Sequence, residues 1–157
     1  MIEKVFSGKL IDVEVRDGME VVVHGPAVAV VAVDRMDRVT LVRQERAGAG
    51  RELLELPAGN VDGGEPPIEA AQRELREETG LHGGEWTEAA DVYTTPGYSD
   101  ERIHLFVARG LEEGEPDPHG SEELERIRVP LAEVPALLPE IEDAKTLAGL
   151  LLLLRMR

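Results

Sequence analysis

A glycine-rich loop running directly into a helix, Gly59 to Leu81, constrains this chain more than any other stretch. Pro66 and Pro67 suit a helical first turn, where a missing N–H costs nothing. Gly80 stands where a helix needs a left-handed terminator. Between them Ile68, Ala71 and Leu75 recur at helical spacing and predict a narrow apolar stripe. At about 100° per residue, Glu74, Glu77 and Glu78 fall within one arc beside that stripe, near the negative end of the helix dipole. Arg73 can pair with Glu77 one turn on, while Arg76 points elsewhere. Two arginines do not neutralise this ridge; a divalent cation does.

The rest of the composition narrows the function classes. Apolar residues make up 42% of the 157 residues but aromatics only 3%, so the core is built from Val, Leu, Ile and Ala. A net charge of −15 argues against a nucleic-acid partner, because no general basic surface is available. The absence of cysteine removes disulfides, zinc-thiolate sites and thiol chemistry. Glu3 and Lys4 interrupt any signal-like start, and the apolar run Leu147–Leu154 is too short to span a bilayer. A soluble cytoplasmic chain with no membrane partner is the expectation.

Along the chain, Val5–Val15 and Met19–Val23 read as a two-stranded ribbon turning at Asp17-Gly18. Ala27–Val33 is a continuous apolar run, as in a strand buried on both faces. Val39–Glu45, Leu53–Leu56, Trp86–Tyr93, Ile103–Ala108 and Ile127–Val129 read as further strands. Pro130 opens a helical stretch to Leu138, and Asp143 caps a final helix reaching about Arg155. Leu147 and Leu150–Leu154 leave that helix little polar face, so a homodimer is expected to cover it together with the ribbon. The order of strands and helices predicts an α/β fold with a mixed sheet between helices, residues 1–25 forming an extension to a domain over 26–157.

Gly59, Glu65, Arg73-Glu74-Leu75, Glu77-Glu78 and Gly80-Leu81 together resemble the signature of the Nudix hydrolases. The resemblance implies an α/β/α sandwich, here with an N-terminal antiparallel β extension, and hydrolysis of a nucleoside diphosphate linked to another group. Leu56-Pro57-Ala58-Gly59, Pro96 within Thr95–Glu101, Leu41–Arg46 and Ile141–Thr146 are similar to the ADP-ribose pyrophosphatase subfamily. Asn60 departs from it, standing where close relatives often carry Lys. The implied reaction cuts ADP-ribose to AMP and ribose 5-phosphate. Another nucleotide sugar or a dinucleoside diphosphate is the sibling reading, and a non-catalytic nucleotide-sensing domain the distant one.

Hard carboxylate oxygens suit Mg²⁺, with Mn²⁺ or Zn²⁺ as substitutes. Glu74 and Glu78, one turn apart, are the expected metal ligands, with Glu77 shared by a second ion; the resemblance adds the carbonyl of Ala58. Glu65 is expected to brace the loop and Arg73 to orient Glu77. Gly59, Gly63 and Gly64 allow close backbone approach to phosphate. Because the box glutamates are occupied by cations, the general base is sought elsewhere. The resemblance points to Glu123, with Glu122 or Glu125 as substitutes. For the substrate, Arg43 offers a guanidinium fork, with Arg46 and Arg51 as alternatives. Tyr98 or Phe6 offers a ring for the base, and the extension of one subunit is implied to help bind the adenine held by the other.

Overall fold

The computed structural model describes residues 1–116 and 124–156. It divides into two sheets. The first is antiparallel, with β1 (Ile2–Ser7), β2 (Asp12–Arg16) and β3 (Met19–Val23) in that order. The turn at Asp17-Gly18 is present as expected, with both residues at positive φ. The single strand expected over Val5–Val15 is instead two. Gly8 turns the chain, its N–H donating to the Ile11 carbonyl at 2.9 Å, and Ser7 Oγ donates to Asp12 Oδ1 at 2.7 Å. Glycine at a turn is the signal that shows where the run divides.

The second sheet has seven strands. β4 (Pro26–Asp34), β5 (Arg38–Arg46), β6 (Arg51–Glu55), β7 (Ala58–Asn60), β8 (Glu85–Tyr93), β9 (Arg102–Leu111) and β10 (Glu125–Pro130) follow in chain order. In space the path is β10-β5-β4-β9-β8, with β6 on β5 and β7 on β4. Among the described residues only β4 and β9 of this sheet pair in parallel, so the sheet is mixed. Along β4 the pleat sends alternate residues to opposite faces. Ala27, Ala29, Val31 and Val33 join Leu41, Leu56 and Leu105 under one face, while Val28, Val30 and Ala32 join Phe106 and Leu111 under the other. The stretch of a strand that must satisfy two cores is apolar on both faces, which is why Ala27–Val33 is an unbroken apolar run before buried Asp34 ends the strand.

Helix α1 (Pro67–Thr79) covers the second face with Ala70, Ala71 and Leu75. Gly80 ends it in the left-handed conformation at φ 77°. The last turn is closed further by Arg126, whose Nη1 donates to the Thr79 carbonyl at 2.8 Å, a cation at the negative helix end. The first face is covered by α2 (Val134–Leu137), flanked by short 3₁₀ turns, and α3 (Ala144–Arg155). This is the α/β/α sandwich expected from the sequence. Asp143 caps α3 by accepting from Thr146 N at 3.0 Å.

The expectation that α3 lacks cover is corrected by the packing. Leu150 and Leu153 are fully buried, and Leu147, Leu152 and Leu154 pack partly buried on the same core, leaving Leu151 49% exposed. Gly149 makes the close approach feasible. A Cβ there lies 2.6 Å from Leu56 Cδ1 and 2.9 Å from Val31 Cγ2. Gly149→Ala therefore sets a helix-propensity gain of about 1 kcal/mol against an overpacking cost of about 1–3 kcal/mol. Both neighbours are locked in the core, so a net loss of about 1 kcal/mol is expected in chemical denaturation; a stabilised variant would contradict this packing.

The small sheet is fastened to the large one where residues 22–25 and Arg16 meet Tyr98–Asp100. Val22 forms a parallel bridge with Ser99, its N–H donating to the Tyr98 carbonyl at 2.7 Å. Asp100 takes the His24 and Gly25 N–H groups at 2.9 and 3.3 Å and Arg16 at 3.1 Å. None of residues 2–23 is buried, and Ile2, Val5, Phe6, Leu10 and Met19 are all more than half exposed.

Candidate active site

The loop after β7 and the start of α1 are held together by Arg73. Its Nε and Nη2 lie on the two oxygens of Glu65 at 3.0 and 3.1 Å, and Nη2 also reaches the Asn60 carbonyl at 3.2 Å. Glu65 in turn accepts Asp62 N at 3.1 Å, so it braces the loop from inside. The remaining edge of Arg73 faces the acidic ridge. Nη1 donates to Glu74 Oε1 at 2.7 Å and stands 3.6 Å from Glu77 Oε2. The expected ion pair of Arg73 with Glu77 one helical turn on is present, and Arg73 holds Glu74, which was not expected, more closely. Partial burial explains it, because a carboxylate that leaves water needs its partner more.

Glu74 enters the fold over Gly59. A Cβ on Gly59 lies 2.1 Å from the Glu74 carboxyl carbon, so only glycine leaves that carboxylate its place. Burial raises the Glu74 pKa, opposed by Arg73 and reinforced by Glu77 and Asp62. Glu78 is placed more severely. Its Oε2 is buried with no hydrogen-bond partner. Burial and then the Glu74 charge push its pKa up to about 8, although the Ala58 backbone bond and Arg46 oppose the shift. An orphaned carboxylate oxygen beside a second raised carboxylate is the donor chemistry that suits a cation. The residues therefore fit a hard divalent ion, with Glu74 and Glu78 holding it. Among the described residues, the only three such groups with ligand atoms within 4.8 Å of one another are Glu88, Asp91 and His104, on β8 and β9. Both oxygens of Asp91 there carry Arg102, at 2.6 and 2.7 Å.

The sign of the pH dependence follows. The folded-state pKa of Glu78 lies above its ordinary 4.5, so its stabilising contribution is full at low pH and lost as pH rises through about 8. A metal-free chain is expected to lose thermal stability over that window. Cation binding requires the deprotonated carboxylate, so Mg²⁺ affinity is expected to rise with pH and to release a proton below about pH 8. Calorimetry in buffers of different ionisation enthalpy checks this, and a pH-independent affinity with no proton release would contradict it.

Beside Ala58, Gly59 and Asn60 opens a cavity of about 650 Å³, walled by Gln44, Arg46 and Lys145 on one side and by His24, Thr94 and Glu101 on the other. Of the three expected arginines only Arg46 lines it. On β5 the two-residue period puts Gln44 and Arg46 on one face and Arg43 on the opposite one. Arg43 instead pairs with Glu125 at 3.0 Å, and Arg51 with Glu142. Pro96 and Tyr98 are exposed outside the cavity wall, Tyr98 at 60%, and Phe6 likewise lies off it at 54%. Glu77 is partly exposed on the outer side of the ridge, lining a second cavity with Arg76 and His82. Glu122 and Glu123 lie outside the described residues, and Glu125 is taken by Arg43.

Sequence reasoning missed the group that binds the cavity wall together. Glu55, 1% exposed at the end of β6, receives Arg46 Nε and Nη2 at 2.7 Å each and Lys145 Nζ at 2.7 Å. Burial raises the Glu55 pKa, but these bonds and charges prevail and hold it below the ordinary value. The signal was present: a glutamate inside Leu53-Leu54-Glu55-Leu56 must find a cation if the run is buried.

Comparison with known proteins agrees with this geometry. An ADP-ribose pyrophosphatase of Mycobacterium tuberculosis is 44% identical over 137 residues, covering 84% of this chain and 66% of that protein. The chain thus spans about two thirds of that relative's length. An ADP-ribose pyrophosphatase of Bacillus subtilis is 38% identical, covering 92% of this chain and 85% of its own. A crystal structure of an ADP compounds hydrolase superposes with a TM-score of 0.83 at 27% identity, over 99% of this chain and 91% of that one. The NUDIX domain model matches residues 23–150, and the chain belongs to the Nudix family.

Proposed function

We propose that this chain hydrolyses the diphosphate bond of ADP-ribose to AMP and ribose 5-phosphate, with Mg²⁺ held by Glu74 and Glu78. The observation that carries the reading is the unpartnered, buried Glu78 oxygen beside Glu74, next to a cavity walled by Arg46 and Ala58–Asn60. The names of the relatives, two ADP-ribose pyrophosphatases and an ADP compounds hydrolase, supply the substrate class. When bound, the ion withdraws charge from phosphate oxygens and makes water a better nucleophile. The chain's own residues do the rest. Glu65 and Arg73 fix the loop against the helix and hold Glu74 in place, Gly59 leaves room for it, and Arg46 meets the diphosphate. A non-catalytic sensing domain has no use for a complete set of box carboxylates.

The test is a panel of nucleoside diphosphate derivatives with Mg²⁺. ADP-ribose is expected to give the highest kcat/KM, with AMP and ribose 5-phosphate in equal amounts. Preference for another nucleotide sugar or a dinucleotide would replace the substrate and keep the chemistry; no turnover of any would refute both.

The reading includes a homodimer formed through residues 1–25. A three-stranded sheet with no buried residue and with Ile2, Val5, Phe6 and Met19 exposed on its strands is marginal alone. A dimer mass in light scattering at micromolar concentration is expected, and a monomer mass would remove this part.

A further inference from the structure

Glu55 and Lys145, the partners of Arg46 in its ion cluster, have no role in the scheme above, yet the cluster is costly to keep. A carboxylate at 1% exposure needs full pairing, and apolar residues fill such space at less cost. Lys145 is also oddly placed. It stands in the first turn of α3, where the helix dipole disfavours a cation, and two carboxylates hold it there: Glu55 at 2.7 Å and Asp143 at 2.9 Å. The neighbouring residues lock the two elements in register. Leu56 N donates to Thr146 Oγ1 at 2.9 Å, and Thr146 Oγ1 is itself bonded to Asp143. The result is a cluster of two cations joined through buried Glu55, with Asp143 also on Lys145 and both cations on the cavity wall beside Ala58 and Gly59. Donor counting shows what remains free. A guanidinium has five N–H groups and Glu55 takes two of those on Arg46; an ammonium has three, of which two are used on Lys145. Arg46 also feels the charge of Glu78, so the cation pair borders the metal-side carboxylate.

We propose that Lys145 is a second diphosphate-contacting cation of this site and that Glu55 is the positioning residue holding Arg46 and Lys145 side by side against the substrate's phosphates. The inference rests on the diphosphate reading of the cavity. Arg46 and Lys145 stand side by side on the cavity wall, balanced in charge by Glu55 and Asp143, and keep three guanidinium N–H groups and one ammonium N–H for an arriving anion. Fixing both by one anion removes the ordering cost of two long side chains when phosphate arrives.

Steady-state kinetics on ADP-ribose with Mg²⁺ tests the assignment. Lys145→Met is expected to raise KM about tenfold with kcat within about threefold, and Lys145→Arg to restore most of it. Glu55→Gln, which keeps the shape and loses the charge, is expected to raise KM by a similar factor, and combined with Lys145→Met to add little further. An unchanged KM in Lys145→Met would overturn the assignment, as would a loss that Lys145→Arg does not restore. Should Glu55→Gln fail to fold, the Lys145 pair of variants decides alone. Calorimetric titration with inorganic pyrophosphate separates this from the substrate reading. A chain inactive on ADP-ribose whose pyrophosphate affinity still falls about tenfold in Lys145→Met loses that substrate and keeps the anion site. Absence of pyrophosphate binding in the unaltered chain, or equal affinity in both, overturns the site itself.

Discussion

Glu78→Gln is expected to lower Mg²⁺-dependent hydrolysis of ADP-ribose by about a thousandfold, roughly 4 kcal/mol of transition-state stabilisation. The substitution keeps the side-chain shape and removes only the charge that a cation needs. Its effect on stability runs the other way. In the absence of metal Glu78 is a buried carboxyl with an unpartnered oxygen, raised by burial and by Glu74. Replacing it with a neutral amide relieves that burden, so the thermal midpoint in chelator is expected to equal or exceed that of the unaltered chain at pH above about 8. Kinetics and thermal denaturation on the same preparation check the pair. A variant that keeps turnover, or one that loses activity only because it unfolds, contradicts the placement of the cation.

Gly59→Ala is the second large effect, and here activity and stability separate again. The added Cβ meets the carboxyl end of Glu74, at 2.1 Å from its carbon and 2.4 Å from Oε2, and not the backbone. The free end of a side chain moves at little cost, so folding free energy is expected to change by less than about 1 kcal/mol. The carboxylate that moves is a proposed metal ligand, which also leaves Arg73 without its 2.7 Å bond. A misplacement of about 1 Å at such a group costs roughly a hundredfold in rate. Full activity in Gly59→Ala would mean that Glu74 works from a different position.

Much of this was legible in local chemistry. Pro66 and Gly80 marked both ends of α1, Asp143 marked the start of α3, and the unbroken apolar run of β4 announced a strand with a core on each face. The box residues came from one short segment, where spacing alone fixes geometry. What failed depended on pairing across the chain. The parallel neighbour of β4 is β9, about seventy residues away, and no local pattern names it. Arg43 and Arg46 look equivalent in sequence, yet their odd separation on one strand sends them to opposite faces, and only one reaches the cavity. Lys145 and Glu55 meet from 90 positions apart. Glycine at position 8 divided a strand that alternation alone would have continued.

The central claim is that the acidic ridge of α1 exists to hold a cation that a diphosphate also touches. The direct measurement is an anomalous difference map from a crystal grown with Mn²⁺ and a non-hydrolysable ADP-ribose analogue. A peak between Glu74 and Glu78, beside Gly59 and within bonding distance of an analogue phosphate oxygen, is the expected result. A bound analogue with no peak among those carboxylates would contradict it.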